Sequence, residues 1–165
     1  MNWINSQYIK KLDVKTFKQL VNLPNLPDEA VPLVTERLEK LNNVQNFDYF
    51  WKEPEYDKEL LKWKKSDLQK SLEILSEVKK IIEEFDFKKG GGELRKVLDE
   101  FSQKVGNPST GSTGSQQASS GQDRGLVYWP LRVAITGQEK SPDPIDIIFA
   151  IGKEKTLERI DFAIK

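Results

Sequence analysis

Leu68, Leu72, Leu75, Val78, Ile82 and Phe85 recur at spacings of four and three, and Lys, Glu and Gln fill the positions between them. This period places the apolar side chains on one stripe of a helix of about five turns. A stripe that long must be covered, so the chain has to supply further helices that pack against it. Ser66-Asp67 offers a cap at its start. Glu73, Glu77 and Lys80 lie on the polar face and read as ordinary solvated charge.

The covering helices are legible on both sides. Residues 93–105 repeat the pattern with Leu94, Val97, Leu98, Phe101 and Val105 inward, and Gly106-Asn107-Pro108 stops it. Upstream, Asp13 caps a helix over 14–22 with Val14, Phe17, Leu20 and Val21 on one side; Pro24 and Pro27 end it. Asp28 is the next candidate cap, for a helix reaching about Leu41 with Val31, Val34, Leu38 and Leu41 buried. Pro32 is tolerable there only because it falls in the first turn. Arg37 lies on the flank of that stripe, where a solvated arginine is the plain reading. Trp3, Ile4, Tyr8 and Ile9 suit one face of a short helix within 3–12, packed as a helix end. Residues 145–151 are almost wholly apolar, hence buried on most sides. After Gly152, residues 154–164 close the chain with Leu157, Ile160 and Ile164 inward.

Between these helices lie interruptions. Phe47, Tyr49, Phe50 and Trp51 cluster as core anchors, and residues 53–57 form a hinge. The chain divides there into two helical units, 1–57 and 58–165, and the fold class is all-α with two consecutive helical bundles. Gly90-Gly91-Gly92 breaks the pattern but lacks the spacing and the Lys-Ser/Thr of a phosphate loop. Residues 108–123 contain Ala118 as their one apolar side chain, too little to offset ordering entropy, so a flexible Ser/Gly-rich loop is expected.

Composition narrows the chemistry. Basic and acidic residues balance at 26 each, which disfavours a generic polyanion binder and a DNA partner, yet leaves room for shape-specific RNA recognition by a few placed arginines. There is no cysteine and no histidine. Disulfides, thiolate nucleophiles, the usual general base and the commonest metal ligands are thereby absent. No apolar run is long enough for a membrane helix, and the expected location is the cytoplasm. Met1 followed at once by Asn2-Trp3-Ile4 reads as the start of a piece cut from a longer protein.

The least filler-like stretch is 127–144. It holds a Trp-Pro step, Arg132, a Thr-Gly stop and a Ser-Pro-Asp-Pro corner. Residues 127–136 alone could be a buried strand, but Pro130 and the helices elsewhere favour a short helix starting near Pro130.

At this stretch the chain resembles the C-terminal anticodon-binding region of bacterial-type glutamyl-tRNA synthetases. The matching residues are Pro130-Leu131-Arg132, Ala134-Ile135-Thr136-Gly137, Ser141-Pro142, and Ile151-Gly152-Lys153-Glu154 with Leu157, Arg159 and Ile160. Trp3-Ile4-Asn5-Ser6-Gln7-Tyr8-Ile9, Val31-Pro32-Leu33-Val34 with Glu36-Arg37, and Phe50-Trp51 follow the family's order. The resemblance implies that the first unit reads the first anticodon base and the second unit the last two. It places Arg37, Arg132, Ser141, Pro142 and Pro144 at anticodon-contacting positions. Trp129 stands at the edge of the site, where some members carry glutamine, either as a core anchor or as a stacking platform; Pro144 stands where members carry an apolar residue such as leucine.

The same resemblance implies tRNA(Glu) as the partner of a monomeric chain and leaves tRNA(Gln) open. The intact protein would attach glutamate to tRNA using ATP and Mg; this piece, without catalytic signatures, would need no cofactor and would not be an enzyme by itself. The alternative is a helical protein-interaction module whose arginines are surface charge.

Overall fold

A computed structural model of the chain describes residues 2–64, 66–106 and 121–165. Those residues contain eight α-helices and no strand. They are α1 (Asn2–Ile9), α2 (Val14–Val21), α3 (Ala30–Thr35), α4 (Leu68–Glu84), α5 (Gly91–Gly106), α6 (Gly121–Thr136), α7 (Pro144–Ile151) and α8 (Lys153–Ile164). Tighter 3-10 segments run over Leu41–Phe50, Lys58–Leu61 and Phe87–Lys89. None of the described helices is long and apolar enough to cross a membrane.

Helix ends follow the local chemistry. The Asp13 carboxylate accepts from the Thr16 amide at 2.9 Å and that of Asp67 from the Lys70 amide at 2.7 Å. Each cap satisfies an amide that the first turn leaves without an intrahelical partner. Asn22 closes α2 in the left-handed region at φ 54°. Lys153 closes α4 from a distance, donating from Nζ to the Glu83 and Phe85 carbonyl oxygens at 2.6 and 3.2 Å.

Helix α6 is the centre of the second half. It packs against α4, α5, α7 and α8, and Val127, Leu131, Val133, Ala134 and Ile135 on it are fully buried. The long stripe of α4 turns Leu75, Val78 and Ile82 toward this centre as the spacing predicts, and Ile74 joins them. In the first half, Phe17, Leu26, Val31, Val34 and Leu38 pack with Tyr49 and Phe50. Contacts of α3 with α7 and of the 41–50 segment with α6 join the halves.

Several expectations are corrected. Helix α6 begins at Gly121, nine residues before Pro130, so 121–123 belong to a helix and Pro130 lies inside it. An interior proline costs about 3 kcal/mol in an isolated helix; here burial against four helices outweighs that. The rest of the expected loop, 108–120, lies outside the described residues. Asp28 caps nothing: it pairs with Lys18 at 2.9 Å, and α3 starts after Glu29. That helix stops at Thr35, whose hydroxyl donates to the Pro32 carbonyl, so Arg37 lies past its end; Leu38 still reaches the core because the chain turns inward. Val97 is 37% exposed, and on α1 only Ile9 of Ile4, Tyr8 and Ile9 is buried.

Candidate functional site

The Ser-Pro-Asp-Pro corner connects α6 to α7, and a cavity opens on each side of it. The smaller, about 230 Å³, is lined by Arg37, Asn46, Phe47, Tyr49, Ser141 and Pro142, among others. The larger, about 420 Å³, is lined by Trp63, Arg95, Arg124, Tyr128, Trp129, Arg132, Asp143 and Pro144, among others. All six residues singled out from the sequence thus flank one corner, three in each cavity. A roomier hollow on α2, about 520 Å³, holds none of them.

Several contacts hold the corner in place. Gly137 takes φ 68°, and a Cβ there would stand 3.1 Å from Pro54 Cβ. Thr136 Oγ1 donates back to the Arg132 carbonyl at 2.7 Å. Gln138 Nε2 donates to the Asn46 carbonyl at 3.0 Å and so ties the turn to the 41–50 segment. Asp143 caps α7 through the Ile145 amide at 2.9 Å, with Pro144 in the first turn. Pro142 and Pro144 are buried, so they shape the cavities more than they present surface.

The charges around the two cavities are unequal. Arg95 is paired with Asp143 at 2.7 Å, which holds its guanidinium above the usual arginine range. Arg124 is paired with Asp99 at 3.0 Å. Tyr128 donates to Asp99 at 2.8 Å, and burial foremost pushes its phenol up to about 12, so it is a neutral donor at pH 7. Arg132 has no carboxylate partner among the described residues. It makes one long contact, 3.5 Å to the Glu139 carbonyl, and its Nε is buried without a partner. Arg37 has only an exposed pair with Glu36 at 3.8 Å, an interaction worth little in water. Among the arginines lining the two cavities, Arg37 and Arg132 are thus the ones that no carboxylate holds closely, Arg37 in the smaller cavity and Arg132 in the larger.

Trp129 is a wall of the larger cavity. Its Nε1 donates to the Leu60 carbonyl at 2.9 Å, and its ring lies 5.0 Å from that of Trp63. The indole N–H is thus already used, and the half-buried ring offers a face rather than a hydrogen bond.

The family described as anticodon binding domain matches residues 2–108 and 115–164. The chain belongs to that family. Its relatives include the glutamate–tRNA ligase of Herpetosiphon aurantiacus, 32% identical over 140 residues, covering 82% of this chain and 24% of the relative. That of Bacillus subtilis is 25% identical over 163 residues, covering 97% of this chain and 33% of the relative. A crystal structure of a glutamate tRNA ligase from Elizabethkingia meningosepticum in complex with its amino acid shares the fold. It has a TM-score of 0.72 at 23% identity, over 99% of this chain and 31% of that one. The chain spans a quarter to a third of the length of these relatives.

Within this anticodon-binding domain, sequence reasoning missed Trp63, Arg95, Arg124 and Tyr128 in the larger cavity, and the buried Arg159. A signal existed for two of them. Arg124, Tyr128 and Arg132 are spaced by four, which puts them on one face of a helix. Starting that helix near Pro130 hid the pattern.

Proposed function

We propose that the chain reads the anticodon of a tRNA, chiefly tRNA(Glu), as the non-catalytic part of a glutamate–tRNA ligase. The observation that carries this reading is the pair of guanidiniums held by no close carboxylate, Arg37 and Arg132, in separate cavities on either side of one proline-containing corner. Anticodon bases are single-stranded and can be splayed apart, each entering its own recess. A guanidinium offers a planar fork of donors to a base edge or phosphate, and the Trp129 face offers stacking. Rigid recesses lower the entropy lost on binding. In this reading Arg37, Trp129, Arg132, Ser141, Pro142 and Pro144 form the contact surface. The chain acts as a monomer in the cytoplasm, while glutamate, ATP and Mg are handled by the larger part that the relatives carry.

The test is titration of the 165-residue chain with tRNA(Glu), tRNA(Gln), and tRNA(Glu) whose anticodon bases are exchanged. Tighter binding of tRNA(Glu) than of its exchanged version is the expected result. Equal affinities would sink the reading in favour of a protein-interaction module.

A further inference from the structure

Arg159 is the largest fully buried side chain that carries a charge, at 1% exposure. It lies on α8 and lines neither cavity. Its Nη1 donates to the Ile135 carbonyl at 2.6 Å. Its Nη2 donates to the carbonyls of Tyr49 at 2.7 Å and Lys52 at 3.0 Å. The nearest carboxylate is that of Glu53, 3.5 Å from Nε and itself mostly exposed. Burial lowers the guanidinium's pKa and Glu53 partly opposes this, so the charge is retained at a cost in solvation. An apolar side chain could fill the same volume without that cost. What it could not do is hold three carbonyls from two distant stretches of the chain at once.

Those carbonyls belong to the scaffolds of the two cavities. Tyr49 lines the smaller cavity and closes the 41–50 segment that also carries Asn46 and Phe47. Ile135 lies on the last turn of α6, three residues after Arg132 and directly before the Thr136-Gly137 turn that leads into the corner. We infer that Arg159 is a positioning residue: one buried guanidinium sets the spacing between the two cavities, so that neighbouring bases meet Arg37 and Arg132 together. This rests on the anticodon reading above for its RNA consequence, but not for its structural one.

The experiment compares wild type with Arg159→Lys in the 165-residue chain. Lysine keeps the charge and has a point-like head that cannot span the same three carbonyls. Hydrogen exchange is measured at residues 49–53, at 136–141 and along α4, beside affinities for tRNA(Glu) and for its anticodon-exchanged version. The expected result is faster exchange at 49–53 and 136–141, unchanged exchange in α4, and about a tenfold loss of selectivity between the two RNAs. Wild-type selectivity in Arg159→Lys overturns the proposal. So does faster exchange throughout α4, which would mark a general core role. If the wild type itself shows no selectivity, the anticodon reading fails. The exchange pattern then decides alone whether Arg159 fixes the cavities: confined changes support it and unchanged exchange overturns it. Should Arg159→Lys fail to fold, Glu53→Gln leaves the packing in place and removes the carboxylate facing Nε. A loss of selectivity of about threefold is then expected, and no loss overturns the proposal.

Discussion

Arg95 Nη1 lies 2.7 Å from Asp143 Oδ2, and the other oxygen of the same carboxylate accepts from the Ile145 amide at 2.9 Å. One aspartate thus fixes α5 to the corner and starts α7. The pair is about one-third exposed on each side, so the ionic part is modest and the cap is the larger contribution. Asp143→Ala is expected to cost about 1–2 kcal/mol in urea unfolding. It should also weaken tRNA(Glu) binding by more than the small folded-fraction change explains, because the corner loses its anchor.

Arg132→Ala removes a guanidinium that has little to do in the free protein. It should weaken tRNA(Glu) binding by ~1–3 kcal/mol and leave the anticodon-exchanged RNA almost unaffected. Thermal melting should barely move. Equal weakening for both RNAs would mean that Arg132 contacts the backbone, and unchanged affinity for both would remove it from the interface.

The helical framework was legible because helices need only a period and a cap. Asp13 and Asp67 are read from local sequence, and each caps the helix it precedes. The failures came where distant packing outweighed local preference. Pro130 signals a helix start on its own, yet α6 runs through it, and Pro130 is buried within a helix that packs against four others. Asp28 looks like a cap, yet Lys18 on α2 pairs with it. Within the site, resemblance located Arg132 and the corner but could not reveal that a separate cavity lies on each side. Arg159 was visible only as a motif position, since nothing local distinguishes a buried arginine from a surface one.

Gly125 is where Trp63 crosses α6. A Cβ at this position would collide with the indole of Trp63. Gly125→Ala should therefore push Trp63 off its contact with Trp129, at about 1–3 kcal/mol, the usual scale for overpacking. Loss of near-ultraviolet circular dichroism from the coupled indoles reports it. An unchanged spectrum would mean that the two rings move as one unit.

Tyr49 is 1% exposed and its hydroxyl is buried without a partner. Burial raises its phenol well above the usual tyrosine range, so it stays protonated. Removing an unpaired buried hydroxyl relieves desolvation at no loss of a hydrogen bond. Tyr49→Phe is expected to be neutral or to stabilise by up to about 1 kcal/mol in denaturant titration. A clear destabilisation would reveal a partner for that oxygen.

Asp13 accepts from the Thr16 amide and hydroxyl, which holds its carboxyl below the usual range. A carboxylate lowered by folding contributes stability above its unfolded pKa and loses it as pH falls through the folded one. The amides of α2 should therefore exchange faster, relative to those of α4, on going from roughly pH 5 to roughly pH 3. Asp13→Asn retains a cap that does not ionise and should flatten this contribution.

The tie between Arg159 and Tyr49 spans 110 positions of sequence, and that between Gln138 and Asn46 spans 92. Loops of that size close late, because their entropy must be lost before any contact rewards it. On an emerging chain, α2 and its neighbours can gather around Phe17 early, but the recess beside Arg37 lacks one wall until Ser141 and Pro142 have been made, and lacks its brace until Arg159 has followed. A polypeptide arrested short of α8 would present Arg37 on an unfinished surface. The order of synthesis thus leaves this recess unfinished until α8 has been made.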